Sequence, residues 1–229
     1  MKRKKIGILG GISHESTLKY YSLIHSEYRR VYNDHYYPEV LVESLNFQKF
    51  TDYENSDASS YVEYILDGIR HLKHGGADFA AMAANSPHTV LSEVLRQSPL
   101  ELISIAEPVV KFSVENRLRT LLLLGIKHTM DSDFYTSRLS QEDIRVLVPA
   151  ENEKHEIDHV IFSELCNGVF LESSKRRFLE IISGYACDGV ILGCTELPLF
   201  LQPTDINLCL VDTLKLHVSE ILRYAMAES

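Results

Sequence analysis

Short apolar runs alternate with amphipathic segments along the whole chain. Eight runs of strand length predict β-strands: KKIGILG, VLVESLNF, ADFAAMAA, ELISIAEP, RTLLLLG, IRVLVPA, GVILGC and NLCLVD. Segments with apolar residues at three- and four-residue spacing predict the helices 16–32, 58–74, 88–97, 109–116, 131–139, 154–168, 173–186, 195–202 and 213–226. Strands that alternate with helices predict an α/β protein with parallel sheets buried on both faces.

The second half of the pattern resembles the first. GILGGISHES aligns with LLLLGIKHTM, and GADFAAMAANSPH aligns with ACDGVILGCTELP. Gly10 and Gly125 lie 115 residues apart, and Ala84 and Cys194 lie 110 residues apart. These near-equal offsets predict two similar α/β halves, with chance similarity as the alternative.

Composition narrows the functions that the chain can have. Its 229 residues hold 23 Lys and Arg against 32 Asp and Glu, a net charge of −9, which disfavours nucleic acid as a partner. No apolar run approaches the ~20 residues of a membrane span. The beginning MKRKKIGILGG lacks the pattern of a signal peptide, so we expect a cytoplasmic protein with reduced thiols.

The four cysteines differ in their positions. None forms a C-x-x-C pair, so no structural metal site is expected, and Cys166, Cys187 and Cys209 are interpreted as small apolar residues. Cys194 follows a buried strand and precedes a predicted helix with Pro198 in its first turn. The positive end of that helix predicts a lowered pKa for the Cys194 thiol.

Four loops follow predicted strands, at the sheet edge where parallel α/β folds bind ligands: 10–16, 85–88, 125–129 and 194–196. The Gly10-Gly11 loop lacks both the G-x-G-x-x-G fingerprint and a P-loop lysine. It is interpreted either as a plain turn or as a carboxylate site at a helix start.

Two histidines near these loops are acid–base candidates. His88 follows Ser86 and Pro87, which together predict a helix start with Ser86 as the N-cap, and His217 lies in the last helix. The alternative for each is a histidine on the surface or one whose ring nitrogens are satisfied in the core.

Six motifs follow one another in order from residue 5 to about 217: GILGGISHESTLKYY, AANSPH, LLLLGIKHTMDSDFY, VIFSELCNG, GVILGCTELPL and VDTLKLH. This ordered set resembles the cofactor-independent aspartate/glutamate racemase family, most closely its amino-acid racemase branch. The resemblance implies two Rossmann-like domains related by pseudo-twofold symmetry, with the active site in the cleft between them, and a homodimer. We place the N-terminal domain at 1–113 plus 208–229 and the C-terminal domain at 114–207.

The same resemblance implies proton transfer by two cysteines, one in each domain, without pyridoxal phosphate or any other cofactor. The second cysteine is present as Cys194, whereas Ala84 stands where the family carries the first. Asn46 stands where many members have Asp. The candidate catalytic positions are therefore Cys194, Ala84, His88 and His217. The candidate substrate-binding residues are Ser13, Asn46, Asn85, Ser86, Thr129, Thr195 and Glu196, with Glu196 expected to orient Cys194 or the substrate amine.

The missing cysteine leaves three functions open. The first is an amino-acid racemase for aspartate or glutamate, in which Cys194 is one acid–base group and the second is His88, Ser86, His217 or a bound water. The second is a decarboxylase of the arylmalonate type, which needs only the Cys194 proton. The third is a non-catalytic protein that binds an amino acid or a dicarboxylate.

Overall fold

The chain folds into two compact units, each built around its own parallel sheet. The computed structural model describes residues 3–227. The first unit comprises Met1–Ser104 and His217–Ser229, and the second comprises Ile105–Leu216. The boundaries that we predicted from the resemblance, after 113 and before 208, lie nine residues away from the boundaries of the units.

The first unit holds a four-stranded sheet with the order β2-β1-β3-β4. All of its pairings are parallel, with Ile6 beside both Val40 and Phe79. Its elements are β1 (Ile6–Gly10), α1 (His14–Tyr32), β2 (Val40–Ser44), α2 (Phe47–Glu54), α3 (Ala58–His74), β3 (Phe79–Met82), a 3-10 turn (Ser86–Val90), α4 (Leu91–Leu95) and β4 (Glu101–Ile103).

The second unit holds another four-stranded parallel sheet, with the order β6-β5-β7-β8. Its elements are α5 (Ala106–Glu115), β5 (Thr120–Gly125), α6 (Lys127–Asp131), α7 (Phe134–Leu139), a 3-10 turn (Ser140–Glu142), β6 (Arg145–Leu147), α8 (Glu151–Ser163), a 3-10 turn (Leu165–Asn167), α9 (Glu172–Ser183), β7 (Gly189–Gly193), α10 (Leu197–Phe200) and β8 (Cys209–Asp212). The last helix, α11 (Thr213–Met226), begins in this unit and continues in the first.

The two sheets have the same strand order, so the α/β halves predicted from the internal similarity are confirmed. In each sheet the first strand of the unit lies beside the second and the third. The equivalent strands β1 and β5 both end at a glycine, Gly10 and Gly125. Every residue of β1, β3 and β7 is buried, which explains why these strands are uninterrupted apolar runs.

A left-handed turn joins β1 to α1. Gly11 has φ of +79°, and a Cβ there would lie 2.3 Å from the carbonyl oxygen of Leu45. Only glycine fits this backbone conformation so close to another main chain. The turn therefore requires glycine at position 11, whereas Gly10 leaves room for the Thr17 side chain, whose Cγ2 would lie 2.5 Å from a Cβ there.

Several predicted elements differ from the structure. The first helix begins at His14 and is capped by Ser13, rather than by Ser16 or Thr17. The strand predicted over 40–47 ends at Ser44, and the helix α2 that follows was not predicted. A helix that begins at Ala106 shortens the run predicted as a strand over 101–108.

Within residues 3–227, no helix is both long enough and apolar enough to cross a bilayer.

Candidate functional site

The candidate residues of the second unit lie at the carboxyl ends of β5 and β7. Gly125 and Gly193 pair at the ends of these two strands, and Cys194 follows directly. The Cys194 thiol donates to Oε2 of Glu196 over 3.0 Å, and the Thr195 hydroxyl donates to the same oxygen over 2.8 Å. One buried carboxylate oxygen therefore holds both side chains.

This arrangement determines the protonation state of the thiol. Burial raises the pKa of Cys194 well above its ordinary value, and the negative charge of Glu196 raises it further. The predicted lowering of this pKa is wrong because α10 has only four residues and begins three positions after the cysteine. The dipole of so short a helix is small beside the cost of desolvating a thiolate. Cys194 is consequently a neutral thiol at pH 7.

Thr129 presents an unusual hydroxyl near the ends of β5 and β7. Its side chain covers the ends of the two central strands, since a Cβ added to Gly125 or Gly193 would lie 3.4 or 3.5 Å from its Cγ2. The residue is fully buried, and its Oγ1 has no hydrogen-bond partner among residues 3–227. A buried hydroxyl without a partner is costly, so this group suits a polar atom of a ligand.

In the first unit, Ala84, Asn85 and Ser86 follow β3. All three are less than a tenth exposed. Asn85, not Ser86, occupies the N-cap position of the 3-10 turn Ser86–Val90, and no side chain caps that turn. The Ser86 hydroxyl instead lies within hydrogen-bonding reach of the Tyr61 hydroxyl.

Ser13 and Asn46 act as helix caps in the same unit. The Ser13 hydroxyl accepts from the N–H of Ser16 over 3.3 Å, at the start of α1. Oδ1 of Asn46 accepts from the N–H of Lys49 over 3.0 Å, at the start of α2. Both residues thus have structural roles at the loop edge where substrate binding was predicted.

His88 and His217 are buried in the first unit, with ring centroids 5.8 Å apart. His217 Nε2 lies 2.9 Å from the carbonyl oxygen of Ile103, so it carries the proton, and Nδ1 accepts from the Tyr20 hydroxyl over 2.8 Å. His88 Nδ1 donates to the carbonyl oxygen of Ala84 over 2.9 Å. These contacts favour the interpretation of His88 and His217 as histidines of the core rather than as acid–base groups.

The pKa values of the two imidazoles support the same interpretation. Burial lowers the pKa of His88 to about 3, with a further contribution from His217. Burial lowers the pKa of His217 to about 4. Both rings are therefore neutral at pH 7 and poor acids there.

Two residues of α1 that were not predicted as site residues, Ser16 and Thr17, contact these loops. The Ser16 hydroxyl donates to the carbonyl oxygen of Ala83 over 2.5 Å. Thr17 Oγ1 accepts from the N–H of Gly11 and donates to the carbonyl of Ser13, both over 2.8 Å. The only signal was the Ser-Thr pair itself, which we interpreted as a choice of caps.

The remaining cysteines keep the apolar interpretation. Cys166, Cys187 and Cys209 are half-buried and pack against the core of the second unit. Burial raises the pKa of Cys187 and of Cys209. Within residues 3–227, no group of three or more His, Cys, Asp or Glu side chains is arranged to hold a metal ion.

Comparison with known proteins finds similarity to glutamate racemases. The glutamate racemase of Helicobacter pylori strain HPAG1 is 26% identical over 157 residues, which cover 66% of this chain and 59% of that enzyme. The chain therefore matches less than two thirds of the length of this curated relative.

Solved structures match over nearly the whole chain. An aspartate racemase homologue from Pyrococcus horikoshii OT3 has 34% identity and a TM-score of 0.85, covering 98% of this chain and 100% of that one. A candidate Asp/Glu racemase from Yersinia pestis has 26% identity and a TM-score of 0.89, with the same coverage. The family model described as Asp/Glu/Hydantoin racemase matches residues 9–221. With its two parallel sheets and the loops that follow β3 and β7, this chain belongs to the Asp/Glu/Hydantoin racemase family.

Proposed function

We propose that this protein is an amino-acid racemase that acts on aspartate or glutamate without pyridoxal phosphate. The observation that carries the proposal is the Cys194 thiol held 3.0 Å from the Glu196 carboxylate at the end of β7. A thiol and a carboxylate in contact form a pair that can take up and return a proton.

The Cys194–Glu196 pair can both remove a proton from the α-carbon and return one to it. In abstraction, the thiol proton moves to Glu196, and the thiolate then removes the α-proton of the substrate. In return, the thiol gives its proton to the α-carbanion and recovers one from Glu196. A thiolate of raised pKa is a stronger base than an ordinary one, which matches the weak acidity of a Cα–H bond.

Substrate carboxylates are proposed to bind polar groups in the loops that follow the strands. Thr129 offers a buried hydroxyl that has no hydrogen-bond partner among residues 3–227. Asn85, Ser86 and Thr195 are proposed to contribute further hydrogen bonds, and fixing the substrate in this way lowers the barrier by orienting the reacting atoms.

Ala84 favours a second candidate function. An alanine side chain has no exchangeable proton, so racemisation requires another donor, which we propose to be a bound water. A decarboxylase that protonates its product from one side needs Cys194 alone. Release of CO₂ from substituted malonates, without racemisation of any amino acid, would support that alternative.

Exchange of the α-proton in D₂O tests the proposal. L- and D-aspartate and L- and D-glutamate are incubated with the protein and followed by ¹H NMR together with chiral chromatography. We expect deuterium at the α-carbon and formation of the opposite enantiomer. Cys194→Ser should slow both by about 10²–10⁴-fold, the usual contribution of an acid–base group.

Cys209→Ser is the matched control, because it removes another half-buried thiol of the same unit. It should leave both rates unchanged. Exchange without inversion would indicate a one-sided site. If neither process occurs with any of the four substrates, the racemase proposal is refuted, and tight binding of a dicarboxylate without turnover would favour a binding protein.

A further inference from the structure

A buried network of side chains in the first unit holds the main chain on both sides of Ala84. The Ser16 hydroxyl donates to the carbonyl of Ala83 over 2.5 Å, and His88 Nδ1 donates to the carbonyl of Ala84 over 2.9 Å. Two consecutive carbonyl groups just beyond β3 are therefore fixed by side chains rather than by the sheet ladder.

The network continues from His88 into the core. The ring of His88 lies edge to face with that of His217, with centroids 5.8 Å apart. His217 is itself held at both nitrogens, by the Tyr20 hydroxyl over 2.8 Å and by the carbonyl of Ile103 over 2.9 Å. It thus joins α1, the turn after β3, the end of β4 and α11, none of which are neighbours in sequence.

Peptide geometry shows what this network does to the loop. In a trans peptide, the C=O and the N–H of one plane point in opposite directions. The carbonyls of Ala83 and Ala84 point towards Ser16 and His88. The N–H groups of Ala84 and Asn85, which lie in the same two peptide planes, therefore point away from those side chains. A wrong rotation of either plane would break a buried hydrogen bond, which is costly.

We propose that Ser16, His88, His217 and Tyr20 are positioning residues that orient the two peptide planes flanking Ala84, so that the N–H edges of these planes meet a substrate carboxylate. The inference rests on the proposed function, since it assigns a task to that same site. It gives the two histidines a different role from acid–base catalysis, because both act through the hydrogen bonds that hold the main chain around Ala84.

Two tyrosines of α1 provide a matched pair of variants. Tyr20→Phe removes one hydroxyl from the network. Tyr28→Phe removes one from another fully buried tyrosine of the same helix, whose hydroxyl donates to Asp34 instead. Ser16→Ala is a second network variant that acts directly on the carbonyl of Ala83.

Kinetics with aspartate and glutamate distinguish positioning from acid–base catalysis. We expect Tyr20→Phe and Ser16→Ala to raise KM about tenfold, which is the effect of one misdirected hydrogen bond. The value of kcat should change less, and the plot of kcat against pH should keep both its acidic and its basic limb. Tyr28→Phe should leave KM unchanged. Equal KM values in all three variants would overturn the proposal, as would loss of a limb of the pH profile in Tyr20→Phe.

An NMR readout keeps the inference testable if the racemase proposal fails. The amide signals of Ala84 and Asn85 should shift in Tyr20→Phe and Ser16→Ala, without added ligand, and stay in place in Tyr28→Phe. Unchanged signals in the two network variants refute the positioning role whether or not the protein turns over any amino acid. Absence of α-proton exchange together with shifted amides refutes only the proposed reaction.

Discussion

Glu196 is the residue of the candidate site that contacts the proposed acid–base thiol of Cys194. Its carboxylate accepts hydrogen bonds from two neighbouring residues, Cys194 and Thr195. The apolar pattern predicted Cys194 directly after a strand, and the structure has it directly after β7. The sequence could not reveal the pKa of the thiol, which depends on burial and on the direction in which the Glu196 side chain turns.

Replacing Glu196 by Gln should lower the pKa of Cys194, because it removes a negative charge that opposes the thiolate. Burial still acts in the variant, so the pKa should stay above its ordinary value. The rate of iodoacetamide labelling against pH measures this change, in a background where the other three cysteines are replaced by Ser. A pKa that is unchanged or raised would contradict this account of the site.

The buried histidines should make the folded state less stable in mild acid. The folded protein keeps His88 and His217 neutral down to pH about 3 and about 4, whereas the unfolded chain takes up protons below pH ~6.5. The unfolded state therefore binds more protons, and the free energy of unfolding falls as pH falls below ~6.5. We expect a loss of about 2 kcal/mol for His217 between pH 7 and pH 5.

Urea unfolding at the two pH values measures this loss. The difference between pH 7 and pH 5 should be smaller in His217→Gln than in the wild type. In ¹H–¹³C spectra, the Cε1–H signals of both rings should not titrate between pH 5 and 8. A titration midpoint near 6.5 for either ring would show that it is accessible to solvent in the folded state.

At the scale of elements, long amphipathic segments were predictable and short ones were not. The helices predicted over 58–74 and 213–226 match α3 and α11 in the structure. By contrast, α10 covers only four residues of the segment predicted over 195–202. Short helices at strand ends are determined by contacts between elements that are distant in sequence, and a local pattern carries little information about them.

The turn at Gly11 gives a prediction about one connection between elements. Gly11→Ala combines a left-handed backbone with a Cβ 2.3 Å from the Leu45 main chain, whereas Gly76→Ala has a similar φ of +88° and no atom within 4 Å. Both variants should lose about 1–2 kcal/mol from the left-handed conformation. Gly11→Ala should lose clearly more, because the Leu45 backbone must also move.

Urea denaturation of the two glycine variants provides the measurement. Circular dichroism at 222 nm gives the unfolding midpoint and slope of each variant and of the wild type. Equal losses in Gly11→Ala and Gly76→Ala would show that the close contact with Leu45 has no energetic consequence.

At the scale of the whole molecule, the internal duplication explains where the candidate residues lie. Leu9 pairs with Met82 in one sheet, and Gly125 pairs with Gly193 in the other. Ala84 and Cys194 come one or two residues after these pairs, at the ends of equivalent strands. The sequence predicted this equivalence because both copies keep glycine at the end of the first strand. The boundaries expected from the resemblance differ by nine residues from those of the two units, which depend on packing between distant segments.

Ala84→Cys tests this equivalence under the proposed function. It restores a thiol at the position where the family is expected to carry one, in a site less than a tenth exposed. We expect the ratio of racemisation to α-proton exchange to rise by about tenfold or more, because a second acid–base group contributes about 10²–10⁴-fold to its own step. Ala84→Ser is the control, since its hydroxyl is a much weaker acid. A ratio that is the same in the two variants would contradict a catalytic role for this position.

The discontinuous first unit also sets an order for folding during synthesis. The hydrogen bonds of His217 join it to Ile103, 114 residues earlier, and to Tyr20, 197 residues earlier. Neither bond can form until the ribosome has released most of α11. The second unit is one uninterrupted segment, Ile105–Leu216, that emerges before α11 is complete. We therefore expect the second half of this duplicated chain to reach its folded state first, although it is translated later.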